Sequence, residues 1–145
     1  DGDFVIVWQS SGQDGSGDGI YAQRYDSSGT AQGSEFQVNT ETSLNQNHPS
    51  IGMDADGNFV IAWQSSEDGG FKYGTYAQLY NSTGDAQGSV FCVNTEINFN
   101  QYGASVSMDA DGNFVITWTS LDQDGSGAGV YAQRYSAEGS ALGGG

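Results

Sequence analysis

Asp14-Gly15-Ser16-Gly17-Asp18-Gly19 sets oxygen-bearing side chains at alternate positions and ends on glycine. That is how a calcium loop begins: hard oxygen ligands surround the cation and glycine makes the sharp turn. The carboxylate that would complete an EF-hand is missing, because Tyr25 stands in its place. Asp124 and Ser126 repeat part of the pattern, with Ala128 where Asp18 would be, while Asp68 to Tyr73 loses it and brings in Lys72. Calcium held by Asp14, Ser16 and Asp18, and by Asp124 and Ser126, is one expectation. A glycine-rich loop between two strands is the other. Asp54, Asp56 and Asn58, with Asp109, Asp111 and Asn113, form a second oxygen-rich set. Turn formation is expected there, since Asp side chains bond neighbouring backbone N–H groups.

Three tyrosine pairs could bind a ligand: Tyr21 with Tyr25, Tyr76 with Tyr80, and Tyr131 with Tyr135. Aromatic faces stack on the apolar faces of sugars, and equivalent sites gain by avidity. The same tyrosines could instead form a ladder that packs one sheet on the next. Trp8, Trp63 and Trp118 could line a sugar-binding cleft, but each ends an apolar run, which favours packing between blades. Arg24 and Arg134 correspond to Leu79, so an arginine stem lying on apolar surface is expected. His48 and Cys92 are single, and their counterparts are Gly103 and Gln37. Neither belongs to a repeated ligand set, no disulfide can form within the chain, and no Ser-His-Asp arrangement is indicated. Acids are abundant enough for paired-carboxylate hydrolysis, but they recur with the repeat and so read as structural. No catalytic residue is assigned, and the expectation is a protein that is not an enzyme.

These residues are positioned by an internal repeat. Asp1-Gly2-Asp3-Phe4-Val5-Ile6-Val7-Trp8 returns as Asp56 to Trp63 and again as Asp111 to Trp118, a spacing of 55 residues each time. Tyr21-Ala22-Gln23-Arg24-Tyr25 keeps the same spacing, and Phe36-Gln37-Val38-Asn39-Thr40 and Ser50-Ile51-Gly52-Met53-Asp54 each appear twice. Residues 1–55 and 56–110 are full repeats and 111–145 is a partial one, together a single repeat domain spanning 1–145. Each full repeat reads as four strands. The first, Phe4 to Trp8, is continuously apolar, which predicts burial on both faces. The others alternate, and Asp54 to Asn58 reads as a tight hairpin turn. The fold class is therefore all-β, with propeller-type blades of four antiparallel strands. About two and a half blades leave strand edges and blade faces open, which predicts a homo-oligomer, a filament, or packing against neighbouring repeats of a longer chain.

The chain has 145 residues, 23 of them glycine, and a formal net charge of −15. That charge argues against nucleic acid and against anionic membrane surfaces. No apolar run is long enough to span a bilayer as a helix, so no membrane insertion is expected. An acidic surface suits a saline or calcium-rich exterior, where cations screen self-repulsion.

The run from Gln9 to Tyr25, followed by Phe36 to Thr40, resembles tandem repeats of very large secreted bacterial proteins of RTX-type, adhesin-like character, common in marine bacteria and cyanobacteria. The nonapeptide calcium repeats of RTX proteins are not present. The resemblance implies a secreted, extracellular or cell-surface location and a propeller-like fold. The expectation for function is a structural or adhesive repeat module, supported by Ca2+. The alternatives are a multivalent lectin that binds glycans and an accessory domain of a secreted polysaccharide-degrading enzyme.

Overall fold

The computed structural model describes residues 2–70 and 72–143, with no description of the Asp68 side chain. Asp1 of the first repeat, Phe71 and the last two glycines lie outside the described residues. Among the described residues eleven strands form: β1 (Phe4–Ser11), β2 (Asp18–Tyr25), β3 (Ala31–Gln37), β4 (Gln46–Met53), β5 (Phe59–Glu67), β6 (Lys72–Tyr80), β7 (Ala86–Cys92), β8 (Gln101–Met108), β9 (Phe114–Leu121), β10 (Ala128–Tyr135) and β11 (Ala141–Leu142). Pairing is antiparallel throughout. The first sheet has the order β1-β2-β3, the second β4-β5-β6-β7 and the third β8-β9-β10-β11. The all-β expectation holds, and among the described residues the sheets do not close on themselves.

The sheets are out of phase with the sequence repeat. The strand that ends a repeat, such as Gln46–Met53, pairs with the strand that opens the next, Phe59–Glu67. The connection 54–58 is only long enough to return the chain as a hairpin. Asp54 Oδ1 holds it closed, accepting from the Asp56 amide at 2.9 Å and the Asn58 amide at 2.8 Å. Asp109 does the same for Asp111 and Asn113. This is turn chemistry, as expected. The segments 38–45 and 93–100 instead carry the chain from one sheet to the next. Their anchors are Asn39 and Asn94, which accept the Ile20 and Thr75 amides at 2.7 Å and donate to the carbonyls of Glu41 and Glu96.

Two faces alternate along every sheet. On the second sheet Val60, Ala62, Ala77 and Leu79 share one face and Phe59, Ile61, Trp63 and Tyr80 the other. The first set packs on Phe114, Ile116, Trp118 and Tyr135 of the third sheet. The second packs on Ile20, Ala22, Val5 and Val7 of the first sheet. The three sheets are therefore stacked, with β5 buried along almost its whole length. The apolar strands β1 and β9 were expected to be buried on both faces as well. They are not, because the outer sheets have a neighbour on one side only: β9 alternates between buried and half-buried, and Phe4 and Ile6 of β1 are exposed.

The Gln of each Tyr-Ala-Gln block acts on the backbone. The register of β2 with β3 breaks between Ala22 and Arg24, and that of β6 with β7 between Ala77 and Leu79. The buried Gln78 amide donates to the Leu79, Gln87 and Gly88 carbonyls at 2.9, 3.1 and 3.3 Å, satisfying groups that the bulge removes from the ladder. Gln23 does the same in the first sheet.

Thr75 offers a sharp test of this packing. It is fully buried and its hydroxyl has no hydrogen-bond partner. Its repeat counterparts are Ile20, also fully buried, and Val130. Thr75→Val should therefore raise stability by about 1 kcal/mol, because it removes an unsatisfied hydroxyl at constant volume. Urea denaturation checks it, and a loss of stability would show that the hydroxyl is satisfied.

Candidate functional site

A cavity of about 490 Å³ opens between the crossing segment 38–45 and the end of the second sheet. Such a volume is in the range of small-ligand sites. Its wall is the crossing segment, with Glu41 and Ser43, and its floor comes from the ends of β5 and β6, with Trp63, Glu67 and Tyr76. Each part is held by a neighbour. Glu41 Oε1 accepts the Ser43 amide at 2.8 Å, the Gln46 amide donates to the Ser43 carbonyl, and the Trp63 indole N–H donates to Gln46 Oε1 at 3.3 Å. Hydrogen bonds from Ser43 hold the Glu41 carboxyl below the usual carboxylate range, so it stays ionised. Leu44, just before β4, and His48, within β4 where its register with β5 shifts, have φ of 63° and 53°. These left-handed conformations are costly for such residues and give the chain there its fixed shape.

At the mouth, the Tyr76 hydroxyl donates to Glu67 Oε1 at 2.5 Å. Burial first, and then the Glu67 carboxylate, push this hydroxyl well above its ordinary pKa. Gly74 makes the contact reachable, since a Cβ there would stand 2.5 Å from Glu67 Oε1. The first sheet contains a similar group. Asp14 Oδ2 lies where a Cβ on Gly19 would be 2.8 Å away and accepts from the Gln37 amide at 3.3 Å. Burial and the charges of Asp14 and Glu35 raise the pKa of Tyr21. Asp14 and Glu67 thus occupy matching places against Tyr21 and Tyr76.

The expected metal residues can now be placed. Asp14 Oδ1 accepts the Ser16 amide and Asp124 Oδ1 the Ser126 amide, each at 3.0 Å, so both loops are closed by side-chain-to-backbone turns. The amide of Asp18 is bound by Asn45 Oδ1 of the crossing segment. Among the described residues no three His, Cys, Asp or Glu side chains gather in a way that could hold a metal ion.

The six tyrosines divide by position. Tyr80 and Tyr135 are 5% and 4% exposed and stack on Phe59 and Phe114 with ring centroids 5.0 and 4.9 Å apart. They have no surface to offer a ligand and form the packing ladder. Tyr25 makes the same stack on Phe4 at 5.1 Å, beside the open face of the first sheet. Tyr21, Tyr76 and Tyr131 sit at the loop end. Tyr21 is buried, Tyr131 stacks on Trp118, and Tyr76 opens into the cleft. Trp63 is 2% exposed and is cleft floor, not a stacking platform.

Sequence reasoning passed over Glu41, Gln46 and Glu67. Asn-Thr-Glu recurs at 39–41 and 94–96 and was the available sign for Glu41. Glu67 lies where the repeat breaks, so no pattern marks it. A second cleft, of about 410 Å³, lies at the opposite end beside Asp54 and Arg24. Two of its polar groups are already engaged, Asp54 by its own turn and Arg24 by the Ser82 carbonyl.

No protein-family model matches the sequence, and no curated protein matches it. Among solved structures the fold is similar to the crystal structure of an endo-arabinase from Bacteroides thetaiotaomicron VPI-5482, with a TM-score of 0.52 and 17% identity. The likeness covers 87% of this chain and 50% of the endo-arabinase, so the chain spans about half the length of that protein. This corrects the expectation that the chain is not an enzyme: the same fold occurs in one, so repetition of the sheets gives no ground for excluding catalysis. The likeness lends no support to an adhesive repeat. At this identity it establishes shared architecture: an all-β chain of stacked antiparallel sheets similar to part of an endo-arabinase.

Proposed function

We propose that this chain is a propeller segment that recognises carbohydrate outside the cell, with the sugar seated in the cleft between the crossing segment 38–45 and the second sheet. The observation that carries the reading is the cleft itself, where the Glu67–Tyr76 pair and the ionised Glu41 face one roomy opening. A carboxylate has several acceptor sites, so Glu67 retains capacity for a sugar hydroxyl after taking the tyrosine proton. The half-buried Tyr76 ring supplies an apolar face beside it. The endo-arabinase likeness agrees with a carbohydrate-related role and makes arabinose polymers the first probes. Stacked sheets of three and four strands suit a propeller, whose blades pack through buried faces of this kind.

The test is calorimetric titration with a panel of arabinose-, galactose- and glucose-based polysaccharides, with reducing-end release followed in the same mixtures. At least one polymer should bind. Glu67→Gln should weaken that binding by about tenfold or more, as expected for loss of a charged hydrogen bond, with the melting temperature nearly unchanged. Absence of binding to every polymer would overturn the proposal.

A further inference from the structure

The two open sheet faces are the two halves of an interface that the chain already makes twice. On the first sheet, Phe4, Ile6 and Trp8 share the outward face with Tyr25. Their counterparts Phe59, Ile61 and Trp63 are 1%, 0% and 2% exposed, whereas Phe4 and Ile6 are 39% and 47% exposed. On the third sheet, Val115, Thr117, Val130, Ala132 and Arg134 share the outward face. Val130 is 79% exposed, although its counterparts Ile20 and Thr75 are fully buried. Within the chain, the face equivalent to that of the third sheet always covers the face equivalent to that of the first.

A crossing side chain marks the register of each internal joint. Arg24 of the first sheet donates to the Ser82 carbonyl at 2.6 Å and lies over Gly84, where a Cβ would be 2.9 Å from its Nε. Leu79 of the second sheet lies over Gly139 in the same way, at 3.3 Å. The third such side chain is Arg134, on the open face of the third sheet. The third such glycine is Gly29, and nothing stands within 4 Å of the position its Cβ would take. Gly29 lies in the turn closed by Asp26, whose carboxylate stands where Asn81 and Ser136 are neutral in the other two turns. Hydrogen bonds from Ser28 and Thr30 lower the pKa of Asp26 and keep it ionised.

We infer that the third sheet of one copy docks on the first sheet of a second copy, with Arg134 crossing to the Asp26–Gly29 turn of that second copy. The joint continues the two internal ones, and Arg134 would meet a carboxylate in the facing turn, as Arg24 at the first internal joint acts on the charge of Asp85. Two copies joined at both ends would stack six sheets, a number that closes propellers of about four to eight blades. The inference does not rest on carbohydrate recognition, and neither would fail with the other.

Light scattering on the whole chain tests it through two variants that each block one face, Ile6→Glu and Val130→Glu. Both positions are open in the single chain, so both variants should melt as the wild type does when each is monomeric. The wild type should show a mass of at least twice 15.2 kDa, and each variant alone should remain at the single-chain mass. An equimolar mixture should recover a two-chain particle, because each variant keeps the face the other has lost. Arg134→Glu should weaken association by about tenfold or more through repulsion from Asp26. A wild type that remains monomeric up to millimolar concentration, variants that associate like the wild type, or a mixture that does not recombine would each overturn the inference.

Discussion

Replacing Trp63 by alanine should destabilise the protein by about 3–5 kcal/mol, while the same change at Trp8 should cost less than about 2 kcal/mol. The two tryptophans end the same apolar motif and differ only in what lies against them. Trp63 is 2% exposed, packs with Ile20 and Ala22 of the first sheet and with Val38 at the start of the crossing segment, and donates to Gln46. Its removal would leave a cavity walled by two sheets and an acceptor without its donor. Trp8 is half-buried on a face that no sheet of the chain covers. Urea denaturation of both variants, measured where the chain is monomeric, gives the comparison directly. Equal losses would mean that the first sheet is covered in the single chain and that the stacking described above is wrong.

Alkaline unfolding is the second large effect expected. The hydroxyls of Tyr21, Tyr76, Tyr80 and Tyr135 all have raised pKa values, with burial as the leading cause in each. Tyr135 is pushed up to about 12. A folded pKa above the unfolded value of about 10 means that stability is fully present below pH 10 and is lost as pH rises through the folded value. For Tyr135 alone, a folded value of about 12 against an unfolded value of about 10 corresponds to about 3 kcal/mol, and the other three act in the same direction. Stability should fall steeply above about pH 10, with tyrosinate absorbance rising in the same cooperative step as loss of the β-sheet signal. Smooth titration of all the tyrosines in a folded protein would contradict the ladder. On the acid side the sign is opposite. Turn hydrogen bonds depress Asp26, Asp85 and Asp109, so what they contribute is lost as pH falls through the carboxylate range.

The strands and their turns were legible because their signals are local. Phe4 to Trp8 and Tyr21 to Tyr25 carry their alternation in a few residues, and Asp54 to Asn58 carries its own turn chemistry. The phase of the sheets was written only in the turns: nothing within Ser50 to Met53 states whether it pairs backward or forward, and the hairpin at 54–58 cuts across the repeat that groups Phe4 to Met53. Only the length of the two connections decides it: 54–58 turns back and 38–45 crosses. Burial of β1 and β9 was misread for a related reason. Three copies of one motif look alike in sequence, yet only the middle copy has a sheet on each side. Of the six tyrosines, Tyr80 and Tyr135 could not be separated from Tyr76 by alternation, because each pair shares a face. What distinguishes Tyr76 is its end of the strand and the Glu67 carboxylate. That carboxylate stands outside the repeat, in the stretch where the Asp14 pattern fails.

Amide and indole chemical shifts show most directly whether a sugar seats in the cleft between the crossing segment and the second sheet. Labelled protein carrying Val130→Glu, to keep it monomeric, would be titrated with an oligosaccharide of the polymer bound most tightly. The Trp63 indole and the amides of Glu41, Ser43, Glu67 and Tyr76 should move together and saturate with one affinity, while the turn at Asp54 to Asn58 stays still. Shifts confined to that opposite end, or none at all with a polymer that binds, would place the sugar elsewhere and contradict the account.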